Sequence, residues 1–292
     1  MNPRTERNRT HPFRLPVLLV AALAAAAVPA AARASDHADP TFVAETRVEG
    51  GLTGLFFFPK GDHMILVLGV HPGLQTAPPF DLEPYEFRIH IDHHSEVSYD
   101  DPQDVTRYGG TVVNPEGIAA DVVFQLRFDD QGTLSSARVH GLADPHSVQV
   151  YSGVRDDPFI FPRFFKRNIV AAVLAIPKSS FPAGRQDFVL WATTLEDGVQ
   201  VDHVGRSNRS QNARSDFLNT IPVHQQMQAL HDEGHRRDEH ASFLNRCNFL
   251  GGAVYQLVHL VWQLRPYDLV SPDVMIYTSR RPPGYPNGRR LE

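Results

Sequence analysis

The chain has 292 residues, of which 42% are hydrophobic and 21% charged, and its formal net charge is −5. This negative balance gives it no broad electrostatic attraction to nucleic acid or to anionic lipid, so neither is expected as a partner. Cys247 is the single cysteine. No internal disulfide can form, and stability must come from a hydrophobic core, which a chain of this length can bury.

The first 34 residues have the three parts of a secretory signal peptide. A segment with four arginines and one acid precedes the uncharged run Leu15–Ala32, which ends at the small-x-small pattern Ala32-Arg33-Ala34. An uncleaved membrane anchor is the competing interpretation. The run contains two prolines and is mostly alanine, so it would span a bilayer of ~30 Å poorly. We therefore expect a periplasmic or secreted protein without a membrane span in its mature chain.

Residues 35–292 are predicted to form one domain. Loss of the leader removes five arginines and Glu6, which leaves 23 basic and 32 acidic residues. Mainly-β domains of roughly 200–250 residues are common, so one domain of this length needs no internal boundary. We expect a single globular unit with a clear negative charge.

Short strands separated by Pro, Gly and Asp are predicted between residues 55 and 217. Met64–Val70 and Ile169–Ile176 are nearly continuous apolar runs, typical of strands buried on both faces. Phe87–Ile91 and Val122–Phe128 alternate between apolar and polar residues, as strands with one wet face do. Further candidate strands are Val148–Tyr151, Phe188–Thr194 and Val199–Val201.

The turn residues between these strands favour antiparallel pairing. Asp129–Gly132 and Glu196–Gly198 have the composition of hairpin loops. Many strands with few helices between them favour a mainly-β sandwich or barrel-like antiparallel domain over a parallel sheet. Residues 220–265 are predicted to be more helical, because 223–239 is helix-compatible and 253–264 is strongly apolar. The fold class is therefore a β domain with a C-terminal helical segment.

Four phrases in this chain together resemble a known family. They are Ser35-Asp36-His37-Ala38-Asp39-Pro40, Leu52-Thr53-Gly54-Leu55-Phe56-Phe57-Phe58-Pro59, Gly153-Val154-Arg155-Asp156-Asp157-Pro158-Phe159 and Val201-Asp202-His203-Val204-Gly205-Arg206. In that order they resemble the bacterial exported family called domain of unknown function 4331. The resemblance covers about residues 35–220 and implies export and a β-rich domain. It implies no activity, and residues 224–240 depart from the family's pattern.

Neighbouring Asp and His residues recur and suggest a metal. They occur as Asp36-His37, Asp62-His63, Asp92-His93 and Asp202-His203. Neutral imidazole and carboxylate are natural ligands for Zn, Cu or Ni, and carboxylates alone suit Ca. A divalent metal ion is therefore the cofactor that these pairs favour, although fifteen histidines in one chain also produce chance neighbours.

The strand predicted at residues 87–91 indicates how the Asp92-His93 pair is oriented. Successive side chains of a strand point to opposite faces of the sheet. One face therefore has Phe87, Ile89 and Ile91, and the other has Arg88, His90 and Asp92. His90 and Asp92 share that face, and His93 and His94 follow in the turn, so a metal site at His90, Asp92 and His93 is predicted. The other interpretation is a wet strand face that leads into a polar loop.

The predicted mature N-terminus gives a second candidate. If cleavage follows Ala34, the chain begins Ser35-Asp36-His37, and the free amine, two backbone amides and the third-position imidazole form a square-planar set of four nitrogens. This set favours Cu(II) or Ni(II). A cut after Ala32 removes it.

Two further phrases can either bind a ligand or hold a loop. Asp156 and Asp157, next to Arg155, can bind calcium, but such pairs more often cap a turn. Arg206, with Arg209 and Arg214, can clamp an anion, and pairing with the chain's own acids is the alternative. The phrase around His231 and His235 lacks the order of the zinc-protease helix motif.

Three functions from different classes remain open. The first is a non-catalytic exported protein that binds a metal ion or small ligand. The second is a metal-dependent enzyme with a site assembled from His90, Asp92, His93, Asp202 and His203. The third is a structural module of the cell envelope whose polar phrases only hold loops. A convergent site with an open coordination position favours the enzyme, and scattered, satisfied histidines favour the third.

Overall fold

The structure, a computed structural model, describes residues 47–74, 77–156, 168–206, 216–232 and 271–290. All of them belong to one compact unit. The predicted signal peptide, the Ser35-Asp36-His37 phrase and Asp157 lie outside these residues.

The described part of the chain contains twelve strands and two α-helices. The strands are, in chain order, β1 Leu52–Lys60, β2 His63–Leu74, β3 Tyr85–Asp92, β4 Val97–Ser98, β5 Thr111–Val112, β6 Val122–Phe128, β7 Leu134–His140, β8 Gln149–Asp156, β9 Asn168–Pro177, β10 Asp187–Glu196, β11 Val199–Val204 and β12 Met275–Thr278. The helices are α1 Pro102–Tyr108 and α2 at 226–232. Short 3-10 turns occupy Val48–Gly50, Pro115–Gly117, Pro145–Ser147, Lys178–Ser180, Asp216–Thr220 and Val223–Gln225.

Two antiparallel sheets form the body of the domain. The first sheet has the strand order β1-β2-β9-β8, and the second has the order β11-β10-β3-β6-β7. Two strands share one edge of β10: β12 pairs with its first half and β11 with its second half. The predicted class, a mainly-β antiparallel sandwich-like domain, is confirmed. The two predicted hairpin loops join β6 to β7 and β10 to β11.

The two sheets face each other across one hydrophobic core. Alternate residues of β3 (Phe87, Ile89 and Ile91) are fully buried in it, together with side chains of β1, β2, β6 and β9. The alternation predicted for β3 is therefore observed, with Arg88 and His90 on the opposite face less buried. Burial of this apolar surface, at about 25 cal/mol per Å², is the main stabilising term of the fold.

A second, smaller cluster covers the outer face of the second sheet. Val189 and Trp191 of β10 pack there with Val274 and Ile276, and with residues of β4 and β5. The short paired strands β4 and β5 therefore lie over the outer side of this sheet. Asp101 caps α1 by accepting a hydrogen bond from the backbone N–H of Gln103.

The segment predicted to be more helical, residues 220–265, is described only at its start. Residues 223–232 are helical, and the remainder of that segment lies outside the described residues. No helix within the described ranges combines the length and apolarity needed to cross a bilayer.

Candidate metal site

The pairing of β3 with β6 brings two chain segments together at one end of the second sheet. Ile91 lies opposite Val122, so the end of β3 is beside the start of β6. The backbone N–H of Asp121 donates to the carbonyl of Ile91 at 2.9 Å and extends this ladder by one residue. The residues that come after β3, His93 and His94, therefore meet the residue that precedes β6.

The carboxylate of Asp121 contacts both histidines. Its Oδ1 lies 2.5 Å from Nδ1 of His94, and its Oδ2 lies 3.2 Å from Nδ1 of His93. Oδ2 also accepts a hydrogen bond of 2.8 Å from the backbone N–H of His93. The centroids of the two imidazole rings are 4.6 Å apart. One ligand atom from each of the three residues lies within 4.8 Å of the others, the spacing that a single metal ion needs.

The two histidines differ in their environments. The His94 side chain is 70% exposed, whereas that of His93 is 6% exposed. Nδ1 of His93 is buried and has no hydrogen-bond partner despite its closeness to Asp121. Burial lowers the pKa of His93, and the charge of Asp121 opposes this shift. Burial therefore favours the neutral ring, which is the form that binds metals.

A cleft of about 310 Å³ opens beside these residues. Asp121 and His94 line it, and Glu96 and Asn114 supply further oxygen atoms at its walls. A metal ion held by three protein ligands beside such a space would keep a coordination position for water or for a small ligand.

Asp92 holds the loop on which the two histidines lie. Its carboxylate accepts hydrogen bonds from the backbone N–H groups of His94 and Ser95, from the Ser95 hydroxyl and from the backbone N–H of Ala119. The side chain is buried. A carboxylate that accepts four hydrogen bonds in this way fixes the turn, so the structure gives Asp92 a positioning role and keeps it out of the ligand set.

His90 lies away from this cluster. Its ring stacks on Trp191 with centroids 4.9 Å apart, and its Nε2 lies 3.1 Å from the hydroxyl of Thr193. Burial, together with the nearby positive charges of His203 and Arg88, lowers the pKa of His90 to about 3. His90 therefore packs as a neutral ring on the outer face of the second sheet, and the predicted set of His90, Asp92 and His93 does not assemble.

Asp202 and His203 belong to a buried polar network. Asp202 accepts hydrogen bonds from the backbone N–H groups of Leu52 and His203, both at 2.8 Å. Nε2 of His203 lies 2.6 Å from the carbonyl oxygen of Asp273. The backbone N–H of Asp273 in turn donates to Gln226. These contacts connect β11 to β1 and to the segment before β12, so the pair does not join His93.

The other predicted site residues are also separate. Arg155 and Asp156 are exposed at the end of β8, where Arg155 donates to the carbonyl of Val154. Arg206 is buried, and its backbone N–H donates to Asp273 at 2.7 Å. Asp36, His37, Asp157 and His235 lie outside the described residues, and His231 is exposed.

Asp121 is the ligand candidate that the sequence did not point to. It has no histidine beside it and precedes a strand that reads as ordinary β structure. Asp121 could have been found only by predicting that β3 and β6 pair. Once these two strands are adjacent and antiparallel, the residue before β6 must face the turn after β3.

Comparison with known proteins gives no indication of function. No protein family and no curated protein matches the chain. Among solved structures, the chain is weakly similar to one entitled "Structure of Iho670 Flagellar-like Filament", with 12% identity over 64% of this chain and 96% of that chain and a TM-score of 0.16. A score this low carries no argument about fold or function.

Proposed function

We propose that this chain is an exported, non-catalytic protein that binds one divalent transition metal through His93, His94 and Asp121. The observation that carries the proposal is the convergence of the three ligand atoms within 4.8 Å. Two imidazole nitrogens and one carboxylate oxygen suit Zn²⁺ best, with Ni²⁺ and Cu²⁺ as alternatives. Ca²⁺ is disfavoured, since it takes oxygen ligands.

Two surrounding contacts support this assignment. Asp92 fixes the turn that presents His93 and His94, and the backbone N–H of His93 fixes the orientation of the Asp121 carboxylate. Such supporting hydrogen bonds hold ligands in place before the ion arrives and so raise its affinity. A metal would replace the direct contacts between Asp121 and the two rings, which requires small outward shifts.

Export rests on the sequence of the first 34 residues, and membership of the family domain of unknown function 4331 rests on four phrases of the sequence. Both are parts of the proposal. Intact-mass measurement of protein purified from the periplasm would test export, because cleavage after Ala34 leaves a chain that begins at Ser35.

A metal-dependent enzyme is the second candidate, and the cleft beside the ligands favours it. A three-ligand site with an open position lowers the pKa of a bound water and can deliver hydroxide to a substrate. Activity screens with zinc-loaded protein would separate this candidate from a pure binding protein, because the latter gives no turnover that depends on His94.

The experiment for the proposal is metal loading followed by elemental analysis. Tag-free mature protein is dialysed against Zn²⁺, Ni²⁺, Cu²⁺ or Ca²⁺, then against buffer, and its metal content is measured by plasma mass spectrometry. We expect about one zinc ion per chain, and loss of that ion in His94→Gln and in Asp121→Asn. His94→Gln is the sharper variant, because an exposed side chain contributes little to folding.

Two control variants make the result specific. His146→Gln removes an exposed histidine elsewhere, and His90→Gln removes a residue of the alternative set; both should retain the ion. Protein that stays metal-free under every loading condition overturns the proposal and leaves the structural envelope module. Zinc retained by His94→Gln but lost by His90→Gln would move the site to the other face of β3.

A further inference from the structure

Two of the three candidate metal ligands line the cleft of about 310 Å³, and the third lies behind them. His94 and Asp121 belong to the lining, whereas His93 does not. The His93 side chain is 6% exposed, and its Nδ1 lies 3.2 Å from Oδ2 of Asp121. In the described part of the chain this Nδ1 has no hydrogen-bond partner. An ion bound by these residues therefore has His93 on its buried side and its free coordination position toward the cleft.

The lining of the cleft is acidic. It includes the carboxylates of Asp92, Glu96 and Asp121, and no lysine or arginine occurs among its described residues. The charge of Arg185 reaches His93, but Arg185 does not belong to the lining. A divalent ion brings two positive charges to a lining with three negative ones, so an anion that enters the cleft meets no net attraction.

Glu96 is the acid of this lining that is available to a ligand. Asp92 already accepts four hydrogen bonds, and Asp121 is a candidate ligand of the ion itself. The Glu96 side chain is exposed, and within the described residues it makes no hydrogen bond or ion pair. Its backbone carbonyl accepts a hydrogen bond of 3.0 Å from the N–H of Val113, which fixes the residue at the start of β4.

Asn114 adds an uncharged hydrogen-bonding group to the same lining. A Cβ at Gly117 would lie 2.6 Å from Nδ2 of Asn114, so the amide packs directly against the backbone of residue 117. An amide both donates and accepts hydrogen bonds. Asn114 can therefore contact a polar ligand without changing the charge of the cleft.

We propose that a small organic cation with a metal-binding nitrogen occupies the open coordination position, and that Glu96 is the counter-ion of its positive group. This inference rests on the proposed metal site. A neutral nitrogen donor, such as an imidazole or an amine, binds Zn²⁺, Ni²⁺ or Cu²⁺ without adding negative charge to an already acidic cleft. A cleft of about 310 Å³ is in the range of sites for small molecules.

The test compares three ligands that share one imidazole ring. Imidazole itself has no charged arm, trimethylated histamine carries a quaternary ammonium arm that cannot coordinate a metal, and imidazole-4-propionate carries a carboxylate arm. The mature chain is loaded with Co²⁺, whose visible absorption reports a new ligand, and each compound is titrated at the same ionic strength. We expect the cation to bind about fivefold more tightly than imidazole, the gain from one exposed ion pair, and the anion to bind more weakly.

Two matched variants assign this preference to one carboxylate. Glu96→Gln should keep its cobalt and bind trimethylated histamine no more tightly than imidazole. Glu83→Gln removes another exposed acid, which precedes β3 and so lies at the opposite end of this strand from His93. The Glu83→Gln variant should retain the fivefold preference.

The outcomes separate this inference from the metal site on which it rests. Cobalt uptake with equal affinity for the cation and for imidazole overturns the inference and leaves the metal site intact. A preference that persists in Glu96→Gln, or that disappears equally in Glu83→Gln, identifies general charge as the cause and also overturns it. A chain that elemental analysis shows to be free of cobalt after loading overturns both the metal site and the inference.

Discussion

Asp202, near the end of β11, accepts a hydrogen bond of 2.8 Å from the backbone N–H of Leu52, the first residue of β1. This contact joins the edge strand of the second sheet to the edge strand of the first. On the opposite side of the sandwich, the backbone N–H of Leu134 at the start of β7 donates to the hydroxyl of Ser152 in β8. A side-chain hydrogen bond therefore bridges the two sheets on each of these sides.

The first prediction concerns the cost of removing this bridge. Asp202→Ala leaves the buried N–H of Leu52 without its acceptor, and we expect the free energy of unfolding to fall by about 2–4 kcal/mol. Urea denaturation of the metal-free protein measures it. Asp197→Asn, at an exposed turn residue with φ of 51°, should stay within about 0.5 kcal/mol, because Asn tolerates this backbone conformation. A similar loss in both variants would contradict the assignment.

The second prediction uses two glycines with nearly identical φ angles. Gly141 has φ of 84° and Gly198 has φ of 81°, but a Cβ at Gly141 would lie 1.8 Å from the carbonyl oxygen of Asp121, whereas one at Gly198 would meet nothing within 4 Å. Gly198→Ala should cost about 1–2 kcal/mol from its left-handed conformation alone. Gly141→Ala should cost more and should also lower zinc affinity, because the Asp121 backbone must move. Equal stability and unchanged affinity in both variants would contradict this prediction.

The third prediction separates a ligand from a residue that positions ligands. His94→Gln should abolish zinc binding and change the free energy of unfolding of the metal-free protein by less than about 0.5 kcal/mol. Asp92→Ala should lower that free energy by about 2–4 kcal/mol, because four hydrogen-bond donors lose their acceptor. The reverse pattern would make Asp92 the ligand and His94 the structural residue.

The fourth prediction concerns acid stability and His71. Burial lowers the pKa of this residue to about 4, and Nε2 lies 3.9 Å from a carboxylate oxygen of Glu49. The unfolded chain binds the proton near pH 6.5 and the folded chain only near pH 4, so the free energy of unfolding falls as the pH is lowered through this window. The loss is about 1.4 kcal/mol per pH unit and is absent above pH 7.

The matching variant is His71→Asn, since His71 has φ of 57° and Asn tolerates that region. Urea denaturation at pH 7.0, 5.5 and 4.5 should show a weaker pH dependence in the variant, by about 2–3 kcal/mol between the highest and the lowest pH. His146→Asn, at an exposed histidine, should follow the unmodified chain. Parallel curves for His71→Asn and the unmodified chain would show that His71 titrates normally.

Much of the fold can be predicted from local patterns. Apolar and polar residues alternate in β3 and β6, and β2 and β9 are continuous apolar runs. Both patterns predicted strands, because burial of one or both faces of a strand determines which of its positions are apolar. β7 was not predicted, because all of its residues are exposed or half-buried and it has no buried apolar face. β12 is only four residues long and pairs with a strand more than 80 residues earlier, which no local pattern encodes.

The candidate site was predictable only in part. The sequence pattern correctly indicates the turn after β3, but Asp92 and His93, adjacent in sequence, have different roles. Asp121 joins His93 and His94 through strand pairing, a long-range relationship. Asp202 and His203 resemble metal ligands in sequence, and their complete burial among backbone donors and acceptors decides their structural role.

The shared edge of β10 has a consequence for the order in which the chain assembles. Within the described residues, Val189 and Leu190 pair on this edge with Ile276 and Met275, whereas the neighbouring half of the same strand pairs with β11 immediately after a tight turn. That half of the edge therefore stays open during folding until residues 275–278 pair with it. An open strand edge readily captures other chains, so we expect a chain truncated before residue 275 to aggregate more readily than the full chain.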